Sequence, residues 1–225
     1  MDDYYKAYDA RYRAAHRAGF SWFGDRCSPI VPEVLHRYGL WRGQLLEIGC
    51  GEGRDAIPLL EQGCDLLATD VSPEAIAYCK NRAPEYGARF RVLDVLRDAP
   101  TEQYDLIYAV AVVHMLVEDA HRDGFYQWIR RSLRPEGLAL ICSMGDGETE
   151  LQTDPDTAFT LQPRQHGAQT VLVAGTSCRM ISFPHFLEEL RRNGLVPVEQ
   201  GFTQALPDFD RLMYAVVRCE AHSAQ

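Results

Sequence analysis

The sequence predicts an α/β fold: one three-layer domain around a seven-stranded, mostly parallel sheet whose last strand is antiparallel. Short apolar runs alternate with helical patterns from residue 28 to residue 144. Strands separated by helices indicate a parallel sheet with right-handed crossovers and helices on both faces. The last two apolar runs, LVPVEQGFT and LMYAVVRC, have the spacing of an antiparallel hairpin that closes the sheet.

Length and composition predict a single domain. The chain has 225 residues, of which 46% are hydrophobic, enough for one well-packed core of ordinary size. We expect residues 1–225 to form one domain, with residues 1–40 as an N-terminal helical lid or extension. Residues 145–181 are expected to form a loop-hairpin insertion, in which TAFTL pairs with TVLVA.

Three of the predicted helices begin with the same signal. SPIVPEVLHRYG, SPEAIAYCKNRA and SFPHFLEELRRNG each open on a serine, at Ser28, Ser72 and Ser182. Serine at such a position caps a helix because its oxygen accepts a free N–H of the first turn. We therefore expect these three serines to be helix caps.

Charge and cysteine content narrow the possible partners and location. The formal net charge is -9, which weighs against a broad nucleic-acid surface because such surfaces cluster Lys and Arg. No apolar run is long enough for a transmembrane helix. The seven cysteines lack CxxC spacing, and the charged N-terminus is unlike a signal peptide. These features predict a cytoplasmic protein with reduced thiols, no membrane partner and no metal site.

A glycine-rich turn, LEIGCGEG, connects the first predicted strand to a helix. It has the pattern E-x-G-x-G-x-G, from Glu47 to Gly49, Gly51 and Gly53. The dinucleotide pattern G-x-G-x-x-G would need a glycine where this chain has Arg54. An acid beside a pyrophosphate is unfavourable, but it suits a ligand that carries an ammonium group. A purely structural strand-to-helix turn is the alternative.

Two more acids end the next two predicted strands. Asp70 lies in LLATDVS, 21 residues after Gly49, and Asp94 lies in FRVLDVL. A carboxylate at the position of Asp70 can accept hydrogen bonds from both ribose hydroxyls of a nucleotide. Each aspartate alone could be a turn or cap residue. Their joint spacing favours a nucleotide-like ligand.

The glycine turn and the two acids resemble the class I S-adenosylmethionine-dependent methyltransferases, which have a Rossmann-like fold. The resemblance covers residues 40–145 well and residues 178–199 more weakly. It implies S-adenosylmethionine as cofactor, with Asp94 near the adenine amino group and the N–H of Val95 near a ring nitrogen. It also implies that Val71 packs on the adenine and that the end of the fourth strand, near Ala109 and Val110, lies beside the methionine portion. The expected cofactor-binding residues are Glu47, Gly49, Cys50, Gly51, Gly53, Arg54, Asp70, Val71, Asp94, Val95 and Ala109.

The implied activity is direct, in-line methyl transfer to a small-molecule acceptor, for which the enzyme mainly aligns the reacting atoms. Two other interpretations stay open. One is a non-catalytic protein that binds the same cofactor, and the other is an aminopropyl transferase on the same fold. The oligomeric state and the acceptor are not specified by the sequence.

His114, just beyond the fourth predicted strand, is the candidate general base, with a packed structural histidine as the alternative. Arg54 could bind the methionine carboxylate or remain solvated. Arg179 and His185 are weaker candidates for the acceptor pocket.

The N-terminal segment is rich in aromatic residues. These side chains could form a lid over the site or could anchor the first helix to the core. They are Tyr4, Tyr5, Tyr8, Tyr12, Trp22 and Phe23.

Overall fold

The computed structural model of the chain describes residues 3–21, 26–166, 169–204 and 211–220, so Trp22 and Phe23 lie outside the described residues. The helices are α1 (Ala7–Arg17), α2 (Ile30–Arg37), α3 (Ala56–Glu61), α4 (Pro73–Arg82), α5 (Asp119–Ser132) and α6 (Phe183–Arg192). The strands are β1 (Gln44–Ile48), β2 (Asp65–Asp70), β3 (Phe90–Val92), β4 (Tyr104–Val110), β5 (Leu133–Met144), β6 (Leu151–Gln152), β7 (Leu161–His166), β8 (Gln169–Ala174), β9 (Arg179–Met180), β10 (Leu195–Thr203) and β11 (Leu212–Cys219).

Within the described residues, seven strands form one sheet in the order β10-β11-β5-β4-β1-β2-β3. Neighbouring strands from β5 to β3 are parallel, and β11 is antiparallel to both β5 and β10. The fold class predicted from the sequence is therefore confirmed. From β1 the chain adds β2 and β3 on one side of the sheet and then β4 and β5 on the other. At such a switch point, the carboxyl ends of the strands form a ligand-binding crevice.

Apolar side chains cover both faces of the sheet, which explains why the central strands read as near-continuous hydrophobic runs. One core contains residues of α5 and α6, such as Phe125, Ile129 and Phe186. The other contains residues of α2, α3 and α4, such as Val34 and Leu59. Among the described residues, no helix is both long enough and apolar enough to cross a membrane.

Two of the three predicted serine caps are confirmed. Ser72 accepts a hydrogen bond from the N–H of Ala75, and Ser182 accepts one from the N–H of His185. The prediction for Ser28 is wrong. The Ser28 side chain donates to Asp55 instead, and α2 begins without a side-chain cap.

The insertion contains a hairpin of β7 and β8 and a short pairing of β6 with β9. The first hairpin strand begins at Leu161, later than the predicted TAFTL. The cause is a short 3-10 turn at Pro155–Thr157, which Asp154 caps by accepting the N–H of Asp156. This turn removes Thr157 from the strand, and Phe159, with φ +70°, interrupts the extended backbone that follows.

The turn Tyr4–Lys6 and α1 together form a segment, residues 4–17, that we call the lid. The Tyr4 hydroxyl accepts the N–H groups of Val117, at 3.0 Å, and Glu118, at 3.2 Å. At the opposite side, the Arg11 Nε donates to the carbonyl of Ala174 at 3.1 Å. The lid is thus attached both to the region before α5 and to the inserted hairpin.

Candidate active site

A cleft of about 970 Å³, counting its open mouth, lies at the carboxyl ends of the central strands. Its size is within the range of small-molecule sites. The glycine turn, the ends of β2 and β4, the loop after β3 and the lid all contribute to its wall. The lining residues are Tyr5, Tyr8, Tyr12, Glu47, Ile48, Gly49, Cys50, Gly51, Glu52, Arg54, Asp55, Asp70, Val71, Leu93, Asp94, Val95, Leu96, Val110, Ala111, Val112, Met115, Leu116 and Phe125.

The glycine turn needs glycine at two positions that line the cleft. Gly49 has φ +75° and a side chain there would overlap Val112. Gly51 has φ +53°, and a Cβ there would be 2.7 Å from the Tyr12 hydroxyl. Positive φ favours glycine, and the absence of a side chain lets neighbouring groups approach the backbone. The turn therefore leaves main chain exposed to the cleft, with a lid tyrosine directly against it.

Asp70, at the end of β2, is held by backbone N–H groups. Its Oδ2 accepts the N–H of Gly51, and its Oδ1 accepts the N–H of Ser72, both at 2.8 Å. Burial nevertheless raises the pKa of Asp70 to about 6. The carboxylate is ionised at neutral pH, and its remaining lone pairs can accept hydroxyl groups of a ligand in the cleft.

Asp94 follows β3 and contacts the lid. Its Oδ2 accepts the Tyr5 hydroxyl at 3.0 Å and lies 2.9 Å from the Lys6 Nζ. Its Oδ1 accepts the N–H of Leu96 at 3.1 Å. Asp94 therefore links the loop after β3 to the lid.

Glu47, at the end of β1, is only 3% exposed. The Tyr108 hydroxyl donates to its Oε2 at 3.1 Å. Burial, followed by the nearby charge of Asp55, raises the pKa of Glu47 well above its usual range. A cationic ligand group beside this carboxyl would counter both effects and favour its ionised form.

Arg54 lines the cleft from the start of the helical region. Its Nη2 donates to the Ser28 Oγ at 2.7 Å and to the Asp55 Oδ2 at 3.0 Å. Asp55 also accepts the backbone N–H of Ser28 at 2.6 Å. Arg54 is therefore oriented by the segment before α2, which explains why Ser28 is unavailable as a cap.

The described lining is strongly acidic. It contains five acids and one arginine, namely Glu47, Glu52, Asp55, Asp70, Asp94 and Arg54. Such a field attracts a cationic ligand and opposes a pyrophosphate. The remaining walls, from Leu93, Val95, Leu96, Met115 and Phe125, are apolar and suit a flat, weakly polar ring system.

Five of the residues predicted for cofactor binding, catalysis or the acceptor pocket do not line the cleft. Gly53 supports the turn from behind, where a Cβ would meet Ile57 and Cys79. Ala109 is packed in the core, while the next residue, Val110, lines the cleft. Two acceptor-pocket candidates bind acids elsewhere: Arg179 contacts Asp119 and His185 contacts Glu150. The fifth is His114.

His114 lies in the short 3-10 turn Val113–Met115 after β4. His114 is 5% exposed, and its buried Nδ1 has no hydrogen-bond partner among the residues that the structure describes. Burial, aided by the charge of Arg122, lowers the pKa of His114 to about 4. Its neighbour Met115 lines the cleft, but His114 itself does not. The ring is thus neutral at physiological pH and set behind the wall of the cleft.

A fully buried ion pair fixes the loop that carries His114. The Arg122 Nη2 lies 2.6 Å from the Glu189 Oε2, and both side chains are 0% exposed. The Arg122 Nη1 donates to the carbonyls of Val113, at 2.8 Å, and Leu116, at 3.2 Å. This network positions the cleft-lining part of the loop after β4, and sequence inspection did not identify it.

Ala111 is a second feature without a sequence signal. It lines the cleft at the end of β4 and has φ +58°. This left-handed conformation is uncommon for a residue with a side chain and costs free energy. The left-handed conformation of Ala111 turns the chain sharply after β4 and brings the Val112 side chain against Gly49.

Comparison with known proteins finds a family that matches the central part of the chain. The family model described as "Methyltransferase domain" matches residues 46–139, the segment that contains the glycine turn, Asp70 and Asp94. This segment matches that family model, which supports the resemblance to class I S-adenosylmethionine-dependent methyltransferases.

Curated relatives match over the same part of the chain. A 2-heptyl-1-hydroxyquinolin-4(1H)-one methyltransferase of Mycobacteroides abscessus is 30% identical over 115 residues, covering 49% of this chain and 51% of the relative. Hemagglutinin 1 of Eikenella corrodens is 32% identical over 103 residues, covering 45% and 34%. The matched segment thus spans between about a third and a half of these relatives.

A solved structure supports the fold over nearly the whole chain. The 1,6-didemethyltoxoflavin-N1-methyltransferase of Burkholderia thailandensis superposes with a TM-score of 0.71 and 19% identity. The match covers 98% of this chain and 90% of that protein, whose structure contains 1,6-didemethyltoxoflavin and S-adenosylhomocysteine. At this identity the likeness concerns the fold.

Proposed function

We propose that this protein is an S-adenosylmethionine-dependent methyltransferase that acts on a small-molecule acceptor. One observation carries the proposal: the glycine turn, Asp70 and Asp94 converge on a single cleft that the lid covers. The acidic lining suits a ligand with an ammonium and a sulfonium group. It opposes the pyrophosphate of a dinucleotide.

The described residues fit this cofactor. Asp70 would accept the ribose hydroxyls, and Asp94 would lie near the adenine amino group. Val71 would pack on the adenine, and the N–H of Val95 would face a ring nitrogen. Glu47 would face the ammonium group. Gly49, Cys50 and Gly51 supply main chain at close range, and Arg54 remains the candidate partner for the carboxylate. When bound, the cofactor supplies an already activated methyl group.

The residues of the chain have two tasks in this reaction. The first is alignment, because an in-line displacement depends on holding the reacting groups in register. The rigid loop from Val112 to Leu116, held by Arg122, is placed for this task. The second is exclusion of water, because positive charge is lost during transfer and a dry site favours that change. Tyr5, Tyr8 and Tyr12 of the lid would perform it.

The acceptor is proposed to be a small molecule because the cleft is compact and covered. The net charge of -9 supports this choice over a nucleic acid. The relative from Mycobacteroides abscessus and the solved Burkholderia thailandensis enzyme are both named for small, nitrogen-containing ring compounds. A small heteroaromatic acceptor is therefore the first class to test.

Incubation with methyl-labelled S-adenosylmethionine and fractionated metabolite extracts, followed by mass spectrometry, tests this function. We expect a labelled small molecule with the wild-type protein and, at a cofactor concentration below saturation, much less of it with a folded Asp70→Ala variant. Cofactor binding without any labelled product would instead support the non-catalytic alternative. Transfer of an aminopropyl group from the decarboxylated cofactor would support the other one.

The role of His114 is a separate part of the proposal. If it is the base, His114→Ala should lower turnover roughly 100- to 10,000-fold with cofactor affinity intact. Because the pKa of His114 is lowered to about 4, the rate should then hold on acidification until the pH approaches that value. A folded variant with near-normal turnover would assign His114 a structural role and leave the cofactor site unaffected.

A further inference from the structure

His16, in the last turn of α1, lies between two carboxylates from different parts of the chain. Its Nδ1 is 2.7 Å from the Oε1 of Glu74, in the first turn of α4. Its Nε2 is 2.9 Å from the Oε1 of Glu52, within the glycine turn. The side chains of His16 and Glu52 are 12% and 1% exposed. We call His16, Glu52 and Glu74 the His16 cluster.

Aromatic rings fix the orientation of the imidazole. It stacks on Tyr78 of α4 with ring centroids 4.4 Å apart and on Tyr12 of the lid at 6.0 Å. Tyr12 in turn lines the cleft and contacts Gly51. The His16 cluster therefore connects the end of the lid directly to the wall of the cleft.

An imidazolium, with a proton on each ring nitrogen, can make both contacts as a donor to ionised carboxylates. A neutral imidazole has one N–H and one acceptor nitrogen, so it can donate to only one carboxylate. The other nitrogen would then present its lone pair to a carboxylate oxygen at under 3 Å. The imidazolium donates to both, and charge-assisted bonds of this kind are roughly twice as strong as neutral ones.

The surrounding charges favour this state. Asp9 and Arg13, also on α1, pair with each other at 2.7 Å. Asp9 also accepts the hydroxyl of Ser72 at 2.8 Å, at the start of α4. Asp70 accepts the N–H of Gly51, next to Glu52 in the glycine turn. A cation in the last turn of α1 and an anion in the first turn of α4 are both favoured by the helix dipoles.

We propose that protonated His16 holds the lid closed over the cleft, and that loss of this proton lets the lid open more often. His16 is thus a positioning residue for the site, acting through Glu52 and Tyr12. The lid part of this inference stands on the His16 cluster alone. Its consequence for cofactor exchange rests on the proposed function.

Hydrogen–deuterium exchange of residues 4–17 in the ligand-free protein tests the inference. Wild type and His16→Gln are compared at the same pH, so that intrinsic exchange rates cancel. At about pH 6 the variant should exchange about tenfold faster, and at about pH 8.5 the two should converge. Equal exchange at both pH values, or a ratio independent of pH, would overturn the proposal.

Two control variants separate His16 from other histidines. His36→Gln changes an exposed residue at the end of α2 and should match wild type at both pH values. His121 lies 2.9 Å from the Tyr4 hydroxyl, so it could add its own pH dependence. If His121→Gln, rather than His16→Gln, removes the pH dependence of lid exchange, the proposal is wrong.

A second variant, His16→Arg, tests the role of the charge even if the glutamine variant misfolds. An arginine guanidinium stacks on aromatic rings and keeps its charge at every relevant pH. In His16→Arg the lid should stay protected at about pH 8.5, where wild type opens. Protection that falls with pH in this variant as it does in wild type would contradict the role of the proton.

The consequence for the cofactor is measured with S-adenosylhomocysteine. Its dissociation rate from wild type should rise about tenfold between about pH 6 and about pH 8.5 and should vary little in His16→Arg. If S-adenosylhomocysteine fails to bind wild type at any pH, the proposed function is wrong, while the exchange experiment still decides the role of His16. If it binds and leaves wild type and His16→Arg with the same pH dependence, the coupling to the cofactor is rejected.

Discussion

Two buried glutamates of this chain are held in opposite ways. Glu189, on α6, accepts three donors from Arg122 and Tyr126, including a contact of 2.6 Å to a guanidinium that is itself 0% exposed. Glu47, at the end of β1, has one tyrosine hydroxyl as donor and faces the cleft. Its pKa is raised well above the usual range because burial opposes its charge.

The difference in their partners suggests different roles: Glu189 stabilises the fold, and Glu47 is available to a ligand. A buried carboxylate with a permanent cation is neutralised in the folded protein itself. A buried carboxyl without one retains a capacity for a positive partner that the protein does not supply. By this criterion the α5–α6 side of the molecule is structural, and we propose that the cleft at the ends of β1, β2 and β3 binds a cationic ligand.

The largest expected effect concerns Glu189. Glu189→Gln removes the charge opposite a fully buried Arg122, and uncompensated buried charges of this kind typically cost about 3–5 kcal/mol of unfolding free energy. Urea denaturation measures the loss. The matched control is Glu188→Gln on the exposed face of the same helix, for which a change within about 0.5 kcal/mol is expected. Equal stability of the two variants would show that the buried pair is not a structural element.

The same substitution at Glu47 should have the opposite sign. Glu47→Gln keeps an oxygen for the Tyr108 hydroxyl and removes a charge that burial disfavours, so we expect a gain of about 0.5–2 kcal/mol at neutral pH. The folded state binds the Glu47 proton more tightly than the unfolded state. Wild-type stability from this group therefore falls as pH rises from the ordinary glutamate range of about 4 towards the folded pKa.

The advantage of Glu47→Gln over wild type should thus grow with pH, while its affinity for S-adenosylhomocysteine should decrease. Denaturation at several pH values and calorimetric titration measure the two effects. A variant that is less stable than wild type at every pH would contradict the assignment of Glu47 to a ligand.

The smallest expected effect concerns Ala111. Ala111→Gly relieves the positive φ of +58° and should be neutral or stabilising by up to about 1 kcal/mol. Ala109→Gly, two residues earlier in β4 and buried in the core, should instead lose about 1 kcal/mol. Thermal denaturation compares the pair. A loss as large at position 111 as at position 109 would show that the backbone strain is not significant.

The sequence predicts the elements of the site that depend on local order along the chain. The glycine turn, Asp70 and Asp94 lie at strand ends, and parallel strands bring such ends to one edge of the sheet. The fold class follows from the same alternation. Ser72 and Ser182 are caps because their signals involve residues three positions apart.

Features set by distant contacts could not be predicted in this way. Arg122 and Glu189 are 67 positions apart, and no local pattern pairs them. The Ser28 hydroxyl donates to Asp55, 27 positions away, and therefore does not cap α2. The strand end near Ala109 and Val110 is expected beside the ligand, but side chains alternate between faces, so Val110 lines the cleft and Ala109 packs in the core.

The central claim, that the acids of the cleft bind S-adenosylmethionine, is tested most directly by titration calorimetry with S-adenosylhomocysteine at neutral pH. Wild type should bind it and should not bind NAD. Asp70→Ala should lose roughly 1.5–3 kcal/mol of binding free energy, the range for hydrogen bonds to a charged group. Asp65→Ala, at the exposed start of the same strand, should bind as wild type does. Unchanged affinity in a folded Asp70→Ala variant, or binding of NAD in preference to S-adenosylhomocysteine, would contradict the claim.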